Sequence, residues 1–327
     1  MRVSDYVLSC IGFIYETAIR DESGPKGDAC ATGFFVSVPS KAARGGRYLY
    51  FATAKHVAEE LKDKDIHILV NKRGGGKTEV VGSDPATWYL HPSDETCDVA
   101  IVPVVANPEA EFTSIPIEHM LTAETIEELS IGIGDEVYSV GLFTEVENTS
   151  KNIPILRHGN ISMMPTEQLQ TELGLADVHL IEARSIGGMS GSPVFVRPSG
   201  KIPTQTLPDG SFDAVIGVRD RTKLLGVIHG HWDVKETDIN QYPVAHDRKR
   251  GVNYGIAIVV PAVKLIETLN RPDLSEIRMK NDEKLKKSGV PGMDSAKQDD
   301  STDSFTKEDF ETALRKASRK VEPERKG

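Results

Sequence analysis

The sequence predicts an all-β fold, a sandwich or a barrel, followed by a charged tail. Short apolar runs rich in β-branched residues recur through residues 1–270, each bounded by Gly, Pro, Asn or Asp. Helical patterns are few in the same region. Residues 271–327, in contrast, hold 14 basic and 13 acidic residues and only two aromatic ones. The chain therefore divides at about residue 270 into a β-rich domain and a tail.

The predicted strands and helices alternate with turn residues along the whole of the first region. The strands are 33–38, 48–51, 66–70, 99–105, 136–140, 153–156, 178–181, 194–196, 224–228 and 254–260. Helical patterns cover 54–61, 122–129 and 261–269. The last of these is the predicted C-terminal helix, and Pro261 suits its first position because a helix start needs no amide donor there.

The tail is too polar to offset the entropy of an ordered chain, so most of it is expected to be disordered. Within it, Thr306-Lys307-Glu308-Asp309 is similar to a capping box, and Phe310 and Leu314 form an apolar pair at helical spacing. This pattern predicts a short helix over 306–320. Such a helix either docks on a protein partner or forms only transiently in solvent.

Composition excludes several functional classes. The 327 residues carry a formal net charge of −10, which argues against a nucleic-acid-binding protein. No apolar run approaches the roughly 20 residues of a membrane helix. Three cysteines cannot all pair, which favours a reducing compartment. The N-terminal apolar run over 6–15 is interrupted by polar residues and predicts a buried strand rather than a signal peptide. A cytoplasmic location is expected.

The strongest candidate for chemistry is the segment Gly187-Gly188-Met189-Ser190-Gly191-Ser192-Pro193. Its glycines let the backbone turn tightly and present the Ser190 hydroxyl. In such a turn the amides of Gly188 and Ser190 can converge on one point, as an oxyanion hole requires. An ordinary Gly/Ser turn between two strands would have the same pattern, so this segment alone leaves both interpretations open.

Two further segments favour the catalytic interpretation. His56 follows an apolar strand and begins a helical pattern, and Asp98 directly precedes the apolar run 99–105. Taken singly, a lone His is more often structural and an Asp before a strand is more often a turn former. The order His56, Asp98, Ser190, however, is the order that one triad-bearing fold uses.

These segments together resemble the trypsin-like (chymotrypsin-fold) serine peptidase family, of the bacterial disulfide-free type. The matching segments are Thr32-Gly33-Phe34-Phe35-Val36, Thr53-Ala54-Lys55-His56-Val57, Asp98-Val99-Ala100, Gly188-Met189-Ser190-Gly191-Ser192-Pro193, Leu224-Leu225-Gly226-Val227 and Gly255-Ile256-Ala257. They extend over about residues 7–270, and their order and spacing make the match specific.

The resemblance implies two antiparallel six-stranded β-barrels with the site in the cleft between them. It also implies that His56 is the general base, Asp98 its orienting partner and Ser190 the nucleophile, with oxyanion amides from Gly188 and Ser190. The chain departs from the family at Met189, where digestive members carry an Asp that pairs with a newly cut N-terminus. That activation route is therefore not open to this chain.

The resemblance also places three residues at the specificity pocket. Arg184 falls where the family usually has the pocket floor, and His229 and His231 fall on the substrate-lining segment. Together they predict a pocket for an acidic side chain. The alternatives are a solvated or ion-paired Arg184 and a His229 that hydrogen-bonds near Asp98. The His-x-His pair has no evident third ligand, so no metal site is predicted.

The sequence thus predicts a serine endopeptidase that hydrolyses protein or peptide substrates through an acyl-enzyme and needs no cofactor. Two alternatives belong to other classes. One is a catalytically silent trypsin-like module that binds peptides in its cleft. The other is an adaptor whose tail recruits a partner while the β-domain serves as a scaffold.

Overall fold

A computed structural model of the chain describes residues 3, 5–21, 24–82, 88–105, 107–143, 150–183, 188–198, 204–206, 212–214, 222–233 and 253–287. The disorder expected after residue 287 and the helix expected over 306–320 lie outside these residues. Within them the fold is mostly β, as predicted. Among the described helices, none is both long and apolar enough to cross a membrane.

The N-terminal half is a nine-stranded sheet. Its strands are β1 Ile11–Asp21, β2 Gly24–Pro39, β3 Arg47–Thr53, β4 Ile66–Asn71, β5 Lys77–Glu79, β6 Val81–Gly82, β7 Tyr89–Leu90, β8 Ala100–Val105 and β9 Ile115–Pro116. Helix α1 (Asp5–Ser9) precedes β1, and helix α2 (Lys55–Glu60) follows β3. The strand predicted over 6–15 therefore begins with a helical turn, in which the Ser9 hydroxyl donates to the Asp5 carbonyl (2.8 Å).

The C-terminal half is built around a closed barrel, with helix α3 (Ala123–Glu128) leading into it. Its strands are β10 Glu136–Gly141, β11 Ile155–Met163, β12 Leu169–Thr171, β13 Gly174–Ala176, β14 His179–Glu182, β15 Pro193–Arg197, β16 Thr204–Thr206, β17 Phe212–Ala214, β18 Lys223–Asp233 and β19 Asn253–Pro261. The barrel order is β10-β11-β14-β19-β18-β15, and β12-β13 and β16-β17 form separate hairpins. Helices α4 (Ala262–Leu269) and α5 (Pro272–Lys287) follow.

The prediction of two six-stranded barrels is confirmed for the C-terminal half only. In the N-terminal half the strand path runs from β5 through β4, β1, β2, β3 and β8 to β6, and no pairing within the described residues closes it. Its end strands β5 and β6 have three and two residues. Among the described residues neither of these end strands pairs with the other, so the described part of this half is an open sheet.

Neighbouring apolar residues on one strand point to different cores because side chains alternate across a sheet. Phe34 packs in the core between the two halves, whereas Phe35 packs in a second core on the other face of the N-terminal sheet. On β10, Tyr138 packs in the core between the halves and Val137 packs inside the barrel. Sheets buried on both faces explain why the strands read as continuous apolar runs.

Helix α5 corrects the tail boundary predicted at residue 270. Leu274, Arg278 and Asp282 are its buried residues, and their four-residue spacing places them on one helix face. The Arg278 guanidinium donates to the Tyr50 hydroxyl (2.9 Å) and the Leu269 carbonyl (2.7 Å). A charged segment is ordered here because its buried charges have partners in the fold. The domain therefore continues through residue 287.

Asp282 joins the C-terminal half of α5 to the N-terminal sheet by hydrogen bonds. Its carboxylate accepts hydrogen bonds from the Ser40 hydroxyl (2.6 Å), the Tyr48 hydroxyl (2.7 Å) and the Lys41 amide (3.0 Å). These donors lower the pKa of Asp282 even though burial acts to raise it. Helix α5 thus lies against the beginning of β3, at the opposite end of that strand from His56.

Candidate active site

His56 and Asp98 come together because two neighbouring strands end at the same edge. Strands β3 and β8 pair antiparallel with Thr53 opposite Ala100, so the residues just after β3 lie beside those just before β8. The Asp98 Oδ1 atom accepts from the His56 amide (2.8 Å), and its Oδ2 atom accepts from His56 Nδ1 (2.8 Å). Two residues that stand 42 positions apart in the sequence thus contact each other at two points.

The exposure of this pair differs sharply between its members. The Asp98 side chain is 1% exposed, whereas that of His56 is 35% exposed. Burial acts to raise the pKa of Asp98, but hydrogen bonds from His229 and His56 outweigh it and hold that pKa well below its usual range. Asp98 is therefore an ionised, acceptor-only group at neutral pH.

The pKa of His56 is shifted upward. Burial acts to lower it, but the hydrogen bond to Asp98 and the charge of that carboxylate raise it, with smaller contributions from Glu60 and Glu172. An imidazole in this setting takes up a proton more readily than a free one. That property suits a general base whose protonated form must be stabilised during a reaction.

Ser190 lies in a tight turn whose neighbouring glycines have left-handed backbone angles. Gly188 has a φ of 87° and Gly191 a φ of 81°, values that other residues rarely adopt. A Cβ atom on Gly191 would lie 2.2 Å from Thr53 Oγ1 and 3.0 Å from the Ala54 amide nitrogen. The turn can therefore pack directly against the segment that leads into His56, and the structure brings these two predicted regions together.

Two neighbouring segments fix the conformation of this turn. The Thr32 hydroxyl donates to the Gly188 carbonyl (2.6 Å) and accepts from the Leu142 amide (2.8 Å). On the other side, the Gly191 amide donates to the Ile228 carbonyl, and the Ile228 amide donates to the Ser192 carbonyl (both 2.9 Å). Thr32 belongs to one of the segments that carry the family resemblance, but nothing in the sequence predicted its contact with the turn.

Met189 shows how the departure from the digestive members is accommodated. Its side chain is 1% exposed, and its sulfur lies 3.9 Å from the Ser192 hydroxyl. The residue before Ser190 thus contributes an apolar contact to the interior and leaves no charge that would need a partner. The turn adopts its conformation without an ion pair at this position.

His229 contacts Asp98, which is one of the two alternatives that the sequence left open for this residue. Its Nδ1 atom lies 2.5 Å from Asp98 Oδ2, and its side chain is 9% exposed. The pairing of β18 with β19 shifts register between Ile228 and Gly230, so His229 is the extra residue of a β-bulge. A bulge redirects a side chain out of the ordinary alternation of a strand.

The remaining pocket residues are not placed by the structure. Arg184 lies outside the described residues, and only the backbone of His231 is described, within β18. Near the same edge, the hairpin formed by β12 and β13 contacts the segment that precedes Asp98, since the Thr96 hydroxyl donates to the Leu175 carbonyl (3.2 Å). This hairpin carries Glu172, which together with Asp98 and Glu60 raises the pKa of His56.

His56, Asp98 and His229 bring three potential metal-ligand atoms within 4.8 Å of one another. The Asp98 Oδ2 atom lies only 2.8 Å and 2.5 Å from the two imidazole nitrogens. Ligand atoms around a tetrahedral zinc ion are about 3.3 Å apart, given metal–nitrogen distances near 2.0–2.1 Å. The separation at His56 is that of an ordinary hydrogen bond, and the one at His229 is shorter still, so both fall below the spacing of zinc ligands.

The chain matches no protein-family model, and no curated protein sequence is similar to it. Similar solved structures are known. The MamO protease domain from Magnetospirillum magneticum is 13% identical with a TM-score of 0.46, and the match covers 81% of this chain and 98% of that one. The HtrA-type protease AlgW with a decapeptide is 14% identical with a TM-score of 0.43, covering 87% of this chain and 66% of that one.

A third solved structure is the active form of the Rv3671c protease from M. tuberculosis. It is 18% identical with a TM-score of 0.39, and the match covers 80% of each chain. All three are described as proteases. At identities and TM-scores this low the functional argument rests on the geometry of the site itself.

Proposed function

We propose that this chain is a serine endopeptidase that hydrolyses peptide bonds through an acyl-enzyme intermediate. One observation carries the proposal: a buried carboxylate holds a partly exposed imidazole at two points, beside a tight turn that carries a serine. Each member of this set comes from a different part of the chain. Nucleophilic catalysis requires such groups to come together, and Gly191 of this turn packs beside Thr53 and Ala54, the residues that lead into His56.

The roles follow from the proton positions. Because Asp98 is an ionised acceptor, His56 carries its proton on Nδ1 and keeps the Nε2 lone pair free to accept the Ser190 proton. The Ser190 oxygen then attacks the substrate carbonyl, and the Gly188 and Ser190 amides stabilise the oxyanion. The imidazolium gives its proton to the leaving amine, and a water molecule hydrolyses the acyl-enzyme by the same route.

The proposal extends to the architecture and setting of the site. We infer that the open N-terminal sheet takes the part of the first of two barrels, and that the substrate is a protein or a peptide bound between the two halves. A cytoplasmic location belongs to the same proposal, as does a pocket in which Arg184 selects an acidic side chain. The silent peptide-binding module and the adaptor are its competing functions.

A fluorophosphonate probe tests the proposal directly, because it labels only an activated serine. We expect labelling and peptidase activity in the wild-type protein, and loss of both in Ser190→Ala and His56→Ala. Ser150→Ala, which changes an exposed serine outside the site, is the matched control and should remain active. A folded wild-type protein that takes no label and cleaves no peptide would favour the silent binding module.

Removing the predicted tail separates the adaptor from the enzyme. A chain ending at residue 287 keeps every described helix and strand. If this chain cleaved peptides normally but lost a partner that the full chain binds, the tail would have the adaptor role in addition to the enzymatic one.

A further inference from the structure

The Asp98 carboxylate accepts three hydrogen bonds. Its Oδ1 atom takes the His56 amide, and its Oδ2 atom takes both His56 Nδ1 and His229 Nδ1. At 1% exposure the carboxylate has almost no access to water. The protein must therefore supply the donors that keep it charged, and His229 supplies one of them.

His229 also connects Asp98 to the nucleophile turn. The residue before it, Ile228, exchanges backbone hydrogen bonds with Gly191 and Ser192 on either side of that turn. The dipeptide Ile228-His229 thus holds the serine turn through its backbone and Asp98 through its side chain. These two parts of the site come from different halves of the molecule, and this dipeptide spans the distance between them.

We propose, on the basis of the proposed function, that His229 is a positioning residue for catalysis. It donates Nδ1–H to the same oxygen that orients His56 and thereby keeps Asp98 in place relative to Ser190. It touches neither substrate nor the reacting atoms. The two rings lie 5.7 Å apart at 88°, so both can aim their Nδ1–H groups at Oδ2 without stacking.

Three substitutions separate the hydrogen bond from the volume of the ring. His229→Leu removes the donor and keeps an apolar side chain of moderate size. His229→Asn keeps a donor where Nδ1 stands, because the amide nitrogen of Asn is also bonded to Cγ. His229→Gln carries the same amide one bond further from the backbone and misses that position.

Catalysis is measured first, as kcat and KM on one peptide substrate. A hydrogen bond to a charged group accounts for about a ten- to hundred-fold change in rate, so we expect His229→Leu to lower kcat by about that factor with KM little changed. His229→Asn should recover most of the loss, and His229→Gln should not. A kcat for His229→Leu within twofold of wild type, or equal values for Asn and Gln, would overturn the proposal.

The second measurement is the NMR resonance of the His56 Nδ1–H proton. It should move or broaden in His229→Leu and return in His229→Asn, which a loss of bulk alone would not produce. His91→Leu is the matched control, because His91 Nε2 is likewise paired with a carboxylate, that of Glu267 (2.6 Å), outside the site. A loss of kcat in His91→Leu as large as in His229→Leu would contradict a specific role.

The same measurements distinguish this inference from the proposed function. If the wild-type protein takes no fluorophosphonate label and turns over no substrate, the peptidase proposal fails. The resonance then decides the positioning role alone: a shift in His229→Leu that His229→Asn reverses would support it, and an unmoved resonance would overturn it. If His229→Leu does not fold, the comparison of Asn with Gln carries the test.

Discussion

Replacing Asp98 with Asn removes the charge of the site with almost no change in shape. The structure limits how the new amide can lie. If its NH₂ group faced the His56 amide, two donors would meet in a region that is 1% exposed, at a cost of about 1–3 kcal/mol. The amide therefore keeps its oxygen at the Oδ1 position and places its NH₂ group where Oδ2 stood.

That orientation changes the tautomer of both imidazoles, because the proton moves from Nδ1 to Nε2. His56 Nδ1 and His229 Nδ1 now face a donor and must act as acceptors, so each ring carries its proton on Nε2. His56 can then no longer accept the Ser190 proton. We expect Asp98→Asn to lower kcat by about four decades, the scale that a wrongly protonated imidazole produces in a triad of this type.

The assay is steady-state kcat on a peptide substrate, together with the ¹⁵N shifts of the histidine side chains. Asp282→Asn is the matched control, since it neutralises another buried carboxylate with three donors at the far end of β3. It should lower stability and leave kcat near wild type. A kcat for Asp98→Asn within tenfold of wild type, or an equal loss in Asp282→Asn, would refute the argument.

Four other predictions concern stability, pH and specificity. A chain ending at residue 270 should unfold about 3–5 kcal/mol more easily than one ending at 287, because it lacks the buried face of α5; equal urea midpoints would contradict this. The midpoint of the acid limb of the kcat/KM profile should lie above pH 6.5, because His56 must be neutral to act as a base and its pKa is raised. A midpoint below pH 6.5 would refute the assignment of His56 as the base. Burial lowers the pKa of His179 to about 4. Between pH 6.5 and 4 the unfolded chain therefore binds a proton that the folded chain does not, and stability should fall as the pH drops through this range. The denaturation midpoints of His179→Gln should depend less steeply on pH. Glu at the residue before the cut should be preferred over Leu and Lys in kcat/KM, and Arg184→Ala should remove the preference; cleavage after Leu or Lys that the mutation leaves unchanged would exclude Arg184 from the pocket.

The resemblance implied the contact between His56 and Asp98, and local signals in the sequence placed each of the two residues. Both residues stand at the boundary of an apolar run, and strand boundaries are what turn residues and hydrophobic patterns define best. The turn at Ser190 was predictable for a similar reason, since glycines mark positions with unusual backbone angles. Local signals of this kind depend little on the rest of the fold.

Two features could not be settled from the sequence, which left His229 either in the pocket or beside Asp98, because both features depend on distant partners. The buried face of α5 reads as Leu274, Arg278 and Asp282, a pattern that looks solvated until Tyr50 and Ser40 are seen beside it. The orientation of His229 depends on a bulge, and a bulge arises from the register of β18 against β19. The density of charged residues does not predict the buried face of α5, and position along a strand does not predict the orientation of His229.

The return of the last helices to the first sheet has a consequence for synthesis. Lys264 in α4 pairs with Asp94 (2.7 Å), and Arg278 in α5 reaches Tyr50, so the end of the domain covers what its beginning exposes. At 5–20 residues per second, the ribosome needs roughly 10–35 s to pass from residue 116 to residue 287. During that interval the N-terminal sheet presents an uncovered apolar face to the cell. His56 and Asp98 exist before Ser190 is made, and among the described elements α5 is the last to reach its partners in the N-terminal sheet. A nascent chain is thus expected to require protection from aggregation, and the proposed nucleophile joins the proposed site only after the N-terminal sheet has been made.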